Sequence, residues 1–134
     1  MTKVFRERMQ AGYAGYTDGK DVYLDDRLSA EQTLCTLLHE LVHLEWGHEG
    51  HQPEDVEMQV RYEVARRLLP LDRVVGACKT GSLAGIAKHL GVTRQVVMDR
   101  AATLSDREAS EAGCWDCQLC PAIRYRAARI AEAN

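Results

Sequence analysis

One short segment of the sequence combines residue types that bind a metal ion with one that can move a proton. It is His39-Glu40-Leu41-Val42-His43, an H-E-x-x-H pattern. In an α-helix, residues four apart lie one above the other, so His39 and His43 would direct their imidazoles at one metal ion. Glu40 would lie on the adjacent flank, within reach of a water molecule on the metal. This pattern is typical of zinc hydrolases, in which two histidines bind the metal and the glutamate is the catalytic base.

A chance match is the alternative interpretation, because a pattern with only three fixed positions also arises by accident. Here the pattern falls inside a helix predicted from Ala30 to Trp46, at positions of its apolar stripe. Ser29 and Gln32 form a predicted capping box at its start, and Gly47 ends it. Unpaired histidine and glutamate side chains would be costly to bury there, so the context favours a metal site.

A third protein ligand is expected, because catalytic zinc usually has three and keeps one position open. The longer pattern H-E-x-x-H-x-x-G-x-x-H does not extend the segment, since Trp46 and Glu49 replace its Gly and His. Two nearby histidines, His48 and His51, remain candidate ligands.

Glu57 is the favoured third ligand. A second helix is predicted from Pro53 to Leu69, ending before Pro70, and Glu57 lies on its core-facing stripe. That stripe continues through Val60, Val64 and Leu68. A carboxylate on such a stripe needs a partner, and a metal ion is one. Glu54, one turn earlier, is the reserve candidate.

A second candidate metal site lies near the end of the chain. Cys114, Cys117 and Cys120 form a C-x-x-C-x-x-C-P pattern, and Cys78 could supply a fourth thiolate. Thiolates at this spacing bind a second zinc ion or an iron–sulfur cluster. A reduced thiol patch or a labile disulfide is the alternative. Cys35, inside the first helix, is predicted to be a small buried hydrophobe.

Composition limits the class of protein. The 134 residues are 46% hydrophobic and 28% charged, which is ordinary for a globular protein and excludes wholesale disorder. A formal net charge of −3 argues against nucleic-acid binding by bulk positive charge. The sequence has no apolar run near the ~20 residues that span a bilayer, and no secretory signal pattern at its start. We therefore expect a cytoplasmic protein with no membrane partner.

A pair of short helices is predicted over Leu83 to Leu104, around a turn at Gly91. The spacing of its small and apolar residues is that of a helix-turn-helix, which could bind DNA through Arg94, Gln95 and Met98. Three basic residues against one acidic residue give this segment a net charge of only +2, which is weak for phosphate binding. The charge disfavours DNA binding and favours helices that pack on the core or dock a substrate.

The chain is expected to fold in the α+β class, with three consecutive parts. Residues 1–75 would form the zinc peptidase core, in which Asp21 to Asp25 is a strand after the Asp18-Gly19 turn. The part of this strand from Val22 to Leu24 could pair with an extended substrate by strand addition. Residues 76–106 would form the helix-turn-helix-like segment packed on that core. Residues 107–134 would form a C-terminal helical tail that carries the cysteine cluster.

Three pieces of the sequence resemble the ImmA/IrrE family of zinc metallopeptidases, over about residues 12 to 104. The first is the strand and helix lead from Val22 to Gln32. The second is the segment from Thr36 to His43, followed by Gly47-His48. The third is Glu57 to Val60, with the run from Ala65 to Pro70 behind it.

The resemblance implies a small thermolysin-like (zincin) minidomain, with a short sheet beside an active-site helix and a helix-turn-helix-like pair behind it. It implies one catalytic zinc ion (Zn2+) bound by His39, His43 and Glu57, with Glu40 as catalytic base. Members of the phage or mobile-element type cut a helix-turn-helix repressor, so a protein substrate and anti-repressor activity are expected. The alternative is a non-enzymatic DNA- or protein-binding regulator with a structural metal site.

Overall fold

The computed structural model describes residues 1–77 and 82–112 of the chain. Within them the chain is α+β, as predicted, and divides into two compact units between Val64 and Ala65. The strands are β1 (Val4–Glu7), β2 (Gly15–Thr17) and β3 (Val22–Asp25). The helices are α1 (Ala30–Glu45), α2 (Glu54–Leu68), α3 (Leu71–Val74), α4 (Leu83–Leu90), α5 (Arg94–Thr103) and α6 (Asp106–Glu111).

The sheet has the order β1-β3-β2, with β1 parallel to β3 and β2 antiparallel to it. Val22 and Leu24 of β3 are fully buried, on the face that packs toward α1. Tyr23 alternates to the other face, where its ring stacks between Phe5 and Tyr16, its neighbours in register. β3 is therefore the central strand, and its buried side supports the helix that carries the H-E-x-x-H pattern.

The central position of β3 corrects one expectation from the sequence. The strand near Val22 was the segment expected to pair with an extended substrate by strand addition. Both of its edges are occupied by β1 and β2, so within the described residues the unpaired sheet edges belong to those two strands. Gly15 lets β2 approach its neighbours closely, since a Cβ there would lie 2.8 Å from Thr36 Cγ2 on α1 and 2.9 Å from the Tyr23 carbonyl.

Helix α1 begins and ends at its predicted signals. The Gln32 N–H donates to Ser29 Oγ at 3.1 Å and the Ser29 N–H donates to Gln32 Oε1 at 2.9 Å, which completes the capping box. The helix ends at Glu45 with Trp46 as its C-cap, and Gly47 follows with a left-handed φ of +77°. Cys35 and Val42 are buried along it, so the predicted burial of Cys35 is confirmed.

Helix α2 also follows its predicted pattern, with Val60 and Val64 buried on its core-facing side. At its end the burial pattern differs from the prediction. Leu68 is only partly buried, whereas Leu69, just after the helix, is 1% exposed.

In the second unit, α4 and α5 meet at Gly91, which has φ +71°, and the Thr93 hydroxyl accepts from Val96 at the start of α5. Of the residues expected to contact DNA, Arg94 and Gln95 are exposed and Met98 is half-buried. Arg100, counted in the segment's positive charge, is 6% exposed. Its Nε donates to the Leu69 carbonyl at 2.7 Å, so this cation stabilises the fold rather than facing solvent.

Several predictions concern residues outside the described part of the chain. Among them are the cysteine cluster with its predicted second zinc or iron–sulfur site, and the larger part of the C-terminal tail that was expected to be helical. The proposed partners Cys78, Cys114, Cys117 and Cys120 all lie there. Within residues 1–77 and 82–112, no helix combines the length and apolar character needed to cross a membrane.

Candidate metal centre

Helix α1 brings two imidazole nitrogens together. His39 and His43 lie one helical turn apart, and their rings meet edge to face with centroids 4.9 Å apart. Their Nε2 atoms are 3.2 Å from each other. The ring of His43 is 2% exposed and that of His39 is 22% exposed, so both nitrogens point at a sheltered position.

Helix α2 adds a carboxylate to this pair. Glu57 Oε2 lies 2.9 Å from His39 Nε2 and 3.1 Å from His43 Nε2. The other carboxylate oxygen accepts from the Gln52 backbone N–H at 3.1 Å, which fixes the side chain from the loop before α2. His39, His43 and Glu57 thus form one cluster, called the donor cluster below, and it could hold a metal ion.

The donor cluster fits zinc by chemistry and by spacing. Two neutral imidazoles and one carboxylate are a ligand set of catalytic zinc. Ligand atoms about 2.0–2.1 Å from a tetrahedral zinc ion would lie about 3.3–3.4 Å from each other. The three separations between the donor atoms, 2.9, 3.1 and 3.2 Å, are close to that spacing. Zinc would therefore be accommodated with small adjustments of the side chains.

The protonation equilibria suit metal binding. Burial lowers the pKa of His39 below its ordinary value, although the hydrogen bond to Glu57 acts in the opposite direction. The imidazole of His39 is therefore neutral at pH 7, which is the form that binds a metal ion. Burial alone would raise the pKa of Glu57, but the Gln52 N–H, the hydrogen bond to His39 and the nearby His43 together lower it. Glu57 is thus a carboxylate at neutral pH.

Glu40 is the buried acid of the pattern. It is 7% exposed, and desolvation, with a smaller contribution from the charge of Glu57, raises its pKa to about 7. A carboxyl group with a pKa near neutrality can both accept and return a proton at physiological pH. The environment of Glu40 is therefore that of a general acid–base group, beside three atoms that could hold a metal ion.

The alternative third ligands lie elsewhere. Glu54 is exposed at the first turn of α2. The His51 side chain is 86% exposed, and its Nδ1 is 3.7 Å from Glu57 Oε1. His48 directs its Nδ1 at the Nδ1 of His43, 3.0 Å away, on the ring edge opposite the donor cluster. Of the four candidates, the structure brings Glu57 alone onto the Nε2 atoms of His39 and His43.

Arg61 is a neighbour that the sequence interpretation missed. It lies one helical turn after Glu57, and its positive charge contributes to lowering the pKa of His39. The signal was present in the spacing, because residues four apart on a helix share a face. Arg61 therefore places a positive charge near the donor cluster, on the side formed by α2.

An α+β fold with this donor cluster is the arrangement of a metallopeptidase-type domain. The chain matches the family model described as the IrrE N-terminal-like domain, Peptidase_M78, over residues 2–101. It belongs to this family, and the resemblance seen in the sequence is confirmed. Membership supports a metallopeptidase-type function with a protein substrate. Searches of curated proteins and of solved structures gave no match.

Proposed function

We propose that this protein is a zinc-dependent endopeptidase of the cytoplasm that cleaves one regulatory protein, a helix-turn-helix transcriptional repressor. The observation that carries the enzymatic part is the convergence of three donor atoms beside a buried glutamate with a pKa near 7. The choice of a repressor rests on the resemblance to the ImmA/IrrE family.

His39, His43 and Glu57 would hold the zinc ion. Zinc at such a site lowers the pKa of a water molecule and polarises the carbonyl of the bond to be cut. Glu40 accepts a proton from the attacking water and passes it to the amine that leaves. Its burial strengthens this role, because a desolvated carboxylate has a raised pKa and is therefore a stronger base.

The open edge of β2 is the favoured place for the substrate backbone. Gly15 packs β2 against Thr36, which lies one turn before Glu40 on α1. The loop after α1 already occupies one end of this edge, since the Gly50 N–H donates to the Thr17 carbonyl at 3.1 Å. A substrate segment that added to the remaining part of the edge, at Gly15, would run alongside the helix that carries Glu40.

The DNA-binding alternative has less support. In the helix pair, Lys88 and Arg94 are exposed cations, whereas the guanidinium of Arg100 bonds inside the fold. Two exposed cations neutralise few phosphates, so affinity for DNA would be low at physiological salt. A role for the pair in contacting a protein substrate agrees better with this charge.

The test is proteolysis of candidate repressors by zinc-loaded protein. The wild type and Glu40→Gln are incubated with any helix-turn-helix repressor encoded beside this protein and, separately, with a lysate of the host cell. New amino termini are identified by mass spectrometry. We expect one dominant cleavage with the wild type and none with the variant. Equal cleavage by Glu40→Gln would contradict the mechanism. An intact repressor, together with cleavage of another protein in the lysate, would contradict the substrate alone.

A further inference from the structure

His48 contacts one of the two histidines of the donor cluster from behind. The Nε2 of His43 lies 3.1 Å from Glu57 Oε2, and its Nδ1, on the opposite edge of the ring, lies 3.0 Å from His48 Nδ1. His43 is 2% exposed, so water does not readily replace this contact. Both edges of the His43 ring are therefore occupied, one by the donor cluster and one by His48.

The turn after α1 fixes the position of His48. Its backbone N–H donates to the His43 carbonyl at 2.8 Å, and the Gly47 N–H donates to Leu44 at 3.1 Å. Gly47 is left-handed with φ +77°, which folds the chain back over the helix end. The indole of Trp46 meets the His48 ring edge-on, with centroids 6.0 Å apart. The imidazole is thus held by backbone and ring contacts against His43.

The proton positions follow from what zinc requires of His43. A neutral imidazole carries a hydrogen on one nitrogen and a lone pair on the other. If Nε2 gives its lone pair to zinc, Nδ1 carries the hydrogen, and a buried N–H needs an acceptor. His48 Nδ1, at 3.0 Å, provides that acceptor when its own hydrogen is on Nε2. The role of zinc ligand, which the sequence left open for His48, does not agree with this contact.

We propose that His48 is a positioning residue that selects the tautomer and orientation of His43 in which Nε2 binds the metal ion. The proposal rests on the proposed metal centre and assigns no contact with the substrate to His48. Partners of metal-binding histidines contribute to metal affinity, and their loss costs about 10–100-fold. His48 should therefore control zinc affinity without being a ligand.

The experiment measures zinc affinity of the full-length protein by competition with a chelator of known affinity. His48→Ala removes the acceptor, and His48→Asn restores one, because its Oδ1 reaches close to the place of the histidine Nδ1. His89→Ala removes an exposed histidine of α4, outside the donor cluster and its contacts, and is the control. We expect affinity about 10–100-fold weaker in His48→Ala, recovery of most of that loss in His48→Asn, and no change in His89→Ala.

A second readout separates positioning from simple loss of stability. Thermal unfolding of the metal-free proteins reports the structural contribution of the loop, and cobalt absorption spectra report the geometry at the metal. Undiminished zinc affinity in folded His48→Ala would overturn the proposal. Equal losses of zinc affinity in His48→Ala and His48→Asn, in proportion to their losses of stability, would also overturn it. If His48→Ala does not fold, failure of folded His48→Asn to bind zinc near wild-type strength overturns it.

His39→Ala, measured alongside, distinguishes this proposal from the proposed function. Loss of zinc in His39→Ala with unchanged affinity in His48→Ala overturns the role of His48 and keeps the metal centre. Equal zinc binding by the wild type and His39→Ala overturns the metal centre, and the role of His48 with it.

Discussion

Two clusters of buried polar side chains, one in each compact unit, satisfy their polar atoms in different ways. In the first unit, the donor cluster turns two imidazole nitrogens and a carboxylate oxygen toward each other, 2.9 to 3.2 Å apart. In the second unit, the Arg100 guanidinium is surrounded by acceptors. It donates to the Leu69 carbonyl at 2.7 Å and to Thr103 Oγ1 at 2.9 Å, and lies 3.9 Å from Glu108.

The difference shows why burial of a polar group does not by itself indicate a functional site. Arg100 carries a positive charge, and neighbouring oxygen atoms accept its hydrogen bonds, so the cluster around it needs no added ion. The donor cluster presents three electron-pair donors to one point, where a cation would satisfy all three. Its arrangement therefore indicates a binding site, whereas that around Arg100 indicates a structural contact.

The largest expected effect comes from Glu40→Gln. The amide keeps the size of the side chain but cannot accept a proton, so the rate of peptide cleavage should fall by about 10²–10⁴-fold. Zinc content should stay at the wild-type value, because Glu40 is not part of the donor cluster. Steady-state cleavage rates and metal analysis of the same preparation check both statements. Loss of zinc together with activity would place Glu40 among the ligands instead.

Zinc should stabilise the folded protein by binding at the donor cluster. At a free concentration one hundred times its dissociation constant, zinc should raise the free energy of unfolding by about 2.7 kcal/mol, because the folded chain assembles the site. Chemical denaturation with and without zinc, in the wild type and in His39→Ala, measures this. The His39→Ala protein should lack the increment, and an equal increment in both would contradict binding at the donor cluster.

Arg100→Met tests the second cluster. Leu69 is 1% exposed, so removal of the guanidinium leaves a buried carbonyl without that donor, at a cost of about 1–3 kcal/mol in free energy of unfolding. Zinc affinity should not change. Arg94→Met, which removes an exposed cation of the same helix, is the control and should cost little. A similar loss in both variants would show that the bond to Leu69 contributes nothing specific.

The smallest expected effect concerns an ion pair in the same unit as the donor cluster, in which the two side chains hydrogen-bond each other. Arg27 donates through Nε and Nη2 to both carboxylate oxygens of buried Asp25, and these bonds lower the pKa of Asp25. A lowered folded-state pKa gives stability that is present above the unfolded pKa of about 3.9 and lost as pH falls through the folded value. Unfolding curves below pH 5 should therefore show a smaller loss on acidification in Asp25→Asn than in the wild type.

Asp26→Asn is the control for that pH series. It removes an exposed carboxylate one residue further along, whose partner Arg8 is also exposed. Because an exposed ion pair contributes little to stability, Asp26→Asn should change the acid dependence less than Asp25→Asn does. An Asp25→Asn protein with the wild-type acid dependence would show that the bonds from Arg27 do not favour the ionised carboxylate in the folded state.

The helical parts were predictable because their signals are local. Ser29 with Gln32 marks the start of α1, Gly91 marks the turn before α5, and the stripe containing Glu57 marks the face of α2. Strands β1 and β2 were not predicted, since all four residues of β1 are exposed and β2 begins with Gly15. Neither has the alternation of apolar and polar residues that revealed β3.

The candidate site also has features that the sequence could predict and features that it could not. The spacing of His39 and His43 follows from helix geometry, so their convergence was predictable. The contact of His48 with His43 depends on how the chain turns after Gly47, and helical periodicity carries no information about that turn. Helical spacing places Arg61 on the same face of α2 as Glu57, but its effect on His39 depends on how the two helices are placed in the fold. Long-range packing of this kind is what the sequence pattern left undetermined.

The most direct test of the metal centre is elemental analysis of the purified full-length protein beside His39→Ala and Glu57→Ala. We expect the wild type to hold one zinc ion per chain more than either variant, whatever the cysteines near the end of the chain bind. The same zinc content in all three proteins would show that His39, His43 and Glu57 do not form a metal centre.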